Sequence, residues 1–396
     1  MSLSIVITSL CFCSVALAFP DIHGSVQTRE EQPNGFRPIS PKVFVISMFT
    51  DEGEAWYGIP EFDILAKNIT VPGISPLFPQ VHCTSNDDVC QVTTGEAEIN
   101  AASTISSIVY SSLFNLRQTY FLIAGVAGVN PKVSTIGAVT FARYAVQVAL
   151  QYEIDAREKP QGWNTGYFPQ GSSSPTDYPS ELYGTEVFEV NEQLRQIAIS
   201  FAQTARLNDT ADAKSYRALY ASTKSFAPGA QPPTIIACDT ATSDVYPTGG
   251  LLGDAFENTT SLFTNGSGIY CTTQQEDNAT LEALLRAATT GLVEFSRIII
   301  MRTASDFDRP YTNQTILNNL LDEFQGLEPS IENIYLAGIK VIEGILHGWA
   351  NQFEAGIKAD NYVGDIFGTL GGEPDFGPGS IFCRWQRQNS KEGLEI

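Results

Sequence analysis

The chain is poor in positive charge. Its 396 residues carry 23 lysines and arginines against 44 aspartates and glutamates, a formal net charge of -21. That balance argues against a basic face for nucleic acid and against electrostatic docking on anionic lipid. It also disfavours phosphate esters relative to uncharged small molecules. Histidine is scarce as well. The three histidines (His23, His82 and His347) are scattered and no C-x-x-C occurs, so no metal and no cofactor is expected.

Long apolar runs are missing beyond the first eighteen residues. A membrane helix needs about 20 apolar residues, whereas residues 120–129 and 297–301 have strand length, so the chain is not expected to be a pore. Residues 1–18 read as a secretory signal. An apolar stretch from Ile5 ends in Ala16-Leu17-Ala18, the small-x-small pattern that signal peptidase accepts. Sequons at Asn68, Asn208, Asn258, Asn265, Asn278 and Asn313 agree with a secreted glycoprotein. The expected location is therefore the secretory pathway, ending outside the cell, at its surface or in a vacuole. Five cysteines follow the signal: Cys83, Cys90, Cys238, Cys271 and Cys383. Cys83 with Cys90 and Cys238 with Cys271 are two candidate pairs, but connectivity stays open at this level.

Residues 19–40 are polar and read as a flexible leader, residues 41–385 as one domain and residues 386–396 as a tail. Within the domain, buried-strand runs (43–49, 120–124, 234–237, 297–302) alternate with helical patterns (101–114, 191–207, 280–290, 331–353). This alternation predicts a three-layer α/β/α fold with a central mixed sheet. Residues 158–179 and 240–268 read as long Gly-, Ser- and Pro-rich loops.

Ligands of open α/β sheets sit beyond the carboxyl ends of the strands. Asp51, Glu52 and Glu54 follow the first predicted strand, Gly125-Val126-Ala127-Gly128 the second, and Ser305, Asp306 and Asp308 the last; Gln275-Glu276-Asp277 precedes a helix. Carboxylates gathered at one rim suit a sugar, because each ionised oxygen accepts hydrogen bonds from hydroxyls. A protonated carboxyl can instead donate to a ring nitrogen. Singly, each of these residues also fits a helix cap or a first-turn carboxylate.

In order, these segments resemble the nucleoside phosphorylase and nucleosidase superfamily. Gly125 to Gly128 is similar to its Gly-x-Ala-Gly loop, Gln275-Glu276 to its Met-Glu turn, and Arg302 to Asp306 to its Arg-x-x-Ser-Asp motif. Across residues 41–385 the chain resembles still more closely the purine nucleoside permease family, through Ser47-Met48-Phe49, residues 153–158 and Arg302 to Ser305. The resemblance implies a nucleoside phosphorylase-like fold and a purine nucleoside ligand (adenosine, inosine or guanosine). It also implies a membrane transporter partner or self-association into a homo-oligomer.

By residue, it implies that Glu276 holds the ribose hydroxyls, with Gln275 in place of the usual Met beneath the sugar. Asp306 protonates the base, and Ser305 stands beside it. Glu52 orients water, with Asp51 as second choice. Gly125, Ala127 and Gly128 let backbone approach the ligand. Trp56, Trp163 and Tyr167 are candidate stacking rings, and Asn278 is expected to be buried despite its sequon. No arginine is expected near the first strand or the Gly-rich segment, and nothing places Arg143 or Arg157 there. The implied reaction is metal-free hydrolysis of the N-glycosidic bond rather than phosphorolysis; the alternative is a non-catalytic nucleoside-binding component of transport.

Overall fold

The opening strand Val43–Ser47 is buried on both faces. Its alternate side chains enter different cores. Phe44 and Ile46 pack with Phe121, Ile123, Leu281 and Leu284, whereas Val43 and Val45 pack with Leu122, Ile334 and Ile342. A continuous apolar run of this kind is what a sheet covered by helices on both sides requires.

The computed structural model describes residues 37–376. The expected signal, most of the leader, Cys383 and the tail lie outside the described residues. Among the described residues, residues 38–376 belong to one compact unit. Its main sheet has thirteen strands of mixed direction. At the centre, Tyr120–Val129 runs parallel to Val43–Ser47 and Ile298–Phe307, and antiparallel to Tyr270–Gln274. The helices Ala97–Val109 and Asp277–Thr289 share the core on one face. Glu192–Ala202 and Leu327–His347 share the core on the other. The arrangement is the expected three-layer α/β/α with a mixed sheet.

Leu327–His347 buries Ile334, Ala337, Val341, Ile342 and Ile345, one stripe at helical spacing. Where that stripe crosses the sheet, Gly338 leaves room for Trp56, which is wholly buried. A Cβ on Gly338 would stand 2.6 Å from the Trp56 indole and 3.1 Å from the Met301 methyl.

Several sequence expectations need correction. The Gly125 to Gly128 segment is not a loop after a strand; it lies inside Tyr120–Val129, whose small residues keep their ladder partners. The strand expected to end at residue 302 continues to Phe307. The presumed loop 240–268 contains the strand Asp239–Thr242 and the helix Gly250–Phe263, whose threonine and glycine content masked them. Cys83 is bonded to Cys90 and Cys238 to Cys271. Asn278 is buried, and its side-chain amide donates to the Thr185 carbonyl at 2.7 Å.

Gly338→Val should destabilise the protein. Replacing a helical glycine gains at most about 1 kcal/mol of propensity, whereas overpacking a rigid core costs about 1–3 kcal/mol or more. A denaturant midpoint that does not fall would show that Trp56 can yield.

Candidate functional site

A cavity of about 110 Å³ opens at the carboxyl ends of Val43–Ser47, Tyr120–Val129 and Ile298–Phe307. Glu52, Glu276, Arg302 and Asp306 line it, together with Val126 and Tyr246.

Glu52 belongs to a five-residue helix, Thr50–Glu54, directly after the opening strand. Its carboxyl folds back into the sheet. Oε2 accepts the Met48 backbone N–H and Oε1 the Val126 N–H, both at 2.6 Å. Burial pushes its pKa up to about 8, against the opposing pull of Arg302. Gly125 makes this approach feasible, since a Cβ there would stand 2.6 Å from Glu52 Oε1 and 2.8 Å from Arg302 Nη1. The expectation for Gly125 is thereby corrected: its missing side chain makes room for this carboxyl and guanidinium, not for a ligand.

Arg302 is the site residue that the sequence reading missed as such. It is buried on the strand beside Gly125. Its guanidinium donates to Asp277 Oδ1 at 2.6 Å, to Glu276 Oε2 at 3.2 Å and to the Val126 carbonyl at 3.0 Å. The Arg-x-x-Ser-Asp motif was the available signal. The expectation of no nearby cation is wrong, although this cation is already engaged by protein carboxylates. Arg143 pairs with Glu189 and Arg157 with Asp155; neither lines the cavity.

Glu276 supplies the backbone N-cap of the helix Asp277–Thr289, but its side chain does not cap it. That task falls to Gln274, whose Oε1 accepts the N–H groups of Glu276 and Asp277 at 2.7 and 2.8 Å. The Glu276 carboxylate is thus left for the cavity. Its Oε1 accepts the Ala97 N–H at 3.0 Å, from a residue held in the left-handed region at φ 74. Burial raises the Glu276 pKa, and Arg302 opposes the rise.

Ser305 and Asp306 both line the cavity although they are consecutive in a strand. The register with Tyr120–Val129 slips between Ala304 and Asp306, so Ser305 is the extra residue of a bulge. A bulge re-aims side chains that pleating would send to opposite faces. Asp306 Oδ1 accepts from Ser305 Oγ at 2.7 Å and Oδ2 from the Tyr246 hydroxyl at 3.1 Å. Burial raises the Asp306 pKa, while the Ser305 and Tyr246 bonds hold it down. Ser305 Oγ also lies 3.2 Å from the Ala127 carbonyl. One hydroxyl proton cannot serve both acceptors, and a proton on Asp306 would satisfy both contacts.

Gln275, Ala127 and Gly128 also line the cavity. The Gln275 side-chain amide donates to the Asp244 carbonyl at 2.7 Å. Asp51 does not belong to the site. It is exposed and borders a separate acidic cleft with Glu54, Asp212, Glu323 and Glu328, because one residue along a helix turns a side chain by about 100°. The proposed stacking rings are elsewhere too. Trp56 is core, Trp163 packs on Phe168 and Tyr167 on Phe256. The aromatic residues at the cavity are Phe49 and Tyr246.

Residues 40–358 match the family model described as purine nucleoside permease. The chain is 47% identical over 353 residues to a purine nucleoside permease of Candida albicans, covering 87% of this chain and 85% of that protein. It is 43% identical over 319 residues to a probable purine nucleoside permease of Schizosaccharomyces pombe, covering 78% and 90%. Among solved structures it is similar to a 5'-methylthioadenosine/S-adenosylhomocysteine nucleosidase from Neisseria meningitidis, at TM-score 0.45 and 12% identity, over 77% of this chain and 99% of that one. It is also similar to the Streptococcus counterpart from S. pneumoniae, at TM-score 0.46 and 15% identity, over 76% and 99%.

Arg302→Met should cost about 3–5 kcal/mol of stability, the usual cost of stranding a buried partner, here Asp277. Arg302→Lys should recover little of it, since one ammonium cannot reproduce the fork; a denaturant midpoint near the native one in either variant would contradict the network. Glu52 gives a pH test. A carboxyl whose pKa rises on folding from 4.5 to about 8 adds stability below pH 4.5 that is lost as pH climbs towards 8. Glu52→Gln should therefore flatten the fall of unfolding free energy between those limits, and parallel profiles for the two proteins would exclude that titration.

Proposed function

The chain belongs to the purine nucleoside permease family, and from that premise we propose that it binds a purine nucleoside in this cavity and hydrolyses its N-glycosidic bond. The observation that carries this reading is the convergence of Glu52, Glu276 and Asp306 on one cavity.

Each Glu276 oxygen accepts protein N–H groups and keeps lone-pair capacity for a ribose hydroxyl. Asp306, held towards its neutral form by burial, gives its proton to N7 of the base as the C1'–N9 pair of electrons passes to the leaving purine. Glu52 takes a proton from the water whose oxygen bonds to C1'. The products are free base and ribose, and the proton gained by Glu52 balances the one lost by Asp306. The sugar passes through an oxocarbenium-like state, and Glu52, ionised until it takes that proton, places negative charge where positive charge develops. Water is favoured over phosphate as nucleophile because the Arg302 donors already bond to Asp277, Glu276 and Val126.

The description of the relatives as permeases supports a second reading, in which the nucleoside is bound and passed intact to a membrane partner. No helix among the described residues is long and apolar enough to cross a membrane, and this reading assigns the crossing to that partner. The two disulfides support passage through an oxidising, secretory compartment.

Incubation with adenosine, inosine or guanosine, with and without phosphate, separates these readings. Free base and ribose are expected without phosphate. Base released only with phosphate would overturn the choice of water, and tight binding without turnover would favour delivery. Glu276→Ala should weaken nucleoside binding more than about tenfold, the loss expected for hydrogen bonds to a charged group; unchanged affinity would refute the sugar assignment.

A further inference from the structure

Tyr246 lies between the strand Asp239–Thr242 and the helix Gly250–Phe263. It is about half exposed, at 47%, yet its hydroxyl reaches inward to Asp306 Oδ2 at 3.1 Å. The segment is tied down on both sides. Asp244 accepts the Glu98 backbone N–H at 2.9 Å, and the Gly249 N–H donates to the Asp308 carbonyl at 2.8 Å. Between these ties the Tyr246 ring lies parallel to Phe324, with planes 3° apart and centroids 6.5 Å apart. The ring thus sits at the cavity rim beside Phe324, while its polar tip engages the buried carboxyl.

Ser305 holds the other oxygen of Asp306. With the phenol in place, each carboxyl oxygen already has a protein partner. A base nitrogen can accept from Asp306 only when the carboxyl carries a proton, and a phenol donating to Oδ2 disfavours a proton on that oxygen. Ser305 is fixed within the sheet bulge and buried, whereas Tyr246 stands on a connecting segment at the rim. The phenol is therefore the partner that can yield.

We propose that Tyr246 is a positioning residue that competes with the purine for Asp306: the phenol donates to the buried carboxyl in the empty site, and on binding the base displaces it and accepts a hydrogen bond from the carboxyl instead. The proposal rests on the nucleoside reading above. Its physical basis is that a buried carboxyl left without a partner is costly, so an exchangeable protein partner keeps the empty site intact. Around Asp306, the donors are Ser305 and Tyr246, and Asp308 is the neighbouring charge that raises its pKa. The Tyr216 and Tyr220 phenols also feel the Asp306 charge.

Tyr246→Phe removes the hydroxyl and keeps the ring. Calorimetric titration with inosine should show about threefold to tenfold tighter binding by this variant, the gain from deleting one competing hydrogen bond. In the ligand-free protein, carboxyl-carbon NMR should show Asp306 titrating at higher pH in Tyr246→Phe, because a bond that favours its ionised form is gone. A purely structural role would weaken binding instead. Equal or weaker inosine binding by Tyr246→Phe, with binding by the native protein intact, overturns the competition. If neither protein binds any purine nucleoside, the nucleoside reading falls. The NMR midpoint then decides the contact alone: an unmoved midpoint overturns it, and a raised one supports the same exchange for a ligand of another class.

Discussion

The site is organised around one buried guanidinium. Arg302 lies on the strand Ile298–Phe307, while its counter-charges Glu276 and Asp277 stand where the strand Tyr270–Gln274 gives way to a helix. A third tie runs to the Val126 carbonyl of the central strand. Three segments far apart in sequence are thereby fixed at one sheet edge. Such a network is not a cheap source of stability, because desolvating its ions is costly. Its value is geometric. Once the ions are buried, an arrangement that separates them is far worse than one that keeps them paired.

That constraint also sets the charge state of the cavity. Arg302 is shared among Asp277, Glu276 and Glu52, and its pull on Glu52 opposes burial without overcoming it. Burial therefore dominates at Glu52 and at Asp306, and both are pushed towards their neutral forms. Two carboxyls that burial pushes towards their neutral forms suit acid–base chemistry. The same dry environment would be hostile to an unpaired charge brought in by a ligand, which agrees with an uncharged nucleoside as the partner of this site.

Backbone irregularities place these groups. Gly125 lets the Glu52 carboxyl and the guanidinium approach the sheet, and the bulge at Ser305 turns two consecutive side chains into one cavity. Gln274, capping the helix from the preceding strand, frees Glu276 for the site. None of these features is a loop. The candidate site residues sit on strands and their immediate ends, where packing on both faces restricts movement.

The layer order was legible in the sequence because it is a local property: apolar runs such as residues 43–47 must be covered on both faces, and the stripe at Ile334, Ile342 and Ile345 needs a sheet to cover. The carboxylates at strand ends were legible for the same reason, as was Asn278, which lies within the motif that buries it. What the sequence left open were contacts between residues far apart in the chain. Whether Asp51 or Glu52 faces inward depends on how a five-residue helix docks against Val126. The role of Arg302 depends on carboxylates 25 and 26 residues away, and Tyr246 meets Asp306 across a separation of 60. Local periodicity reports which face of an element is apolar; only the folded sheet edge decides which polar groups meet there.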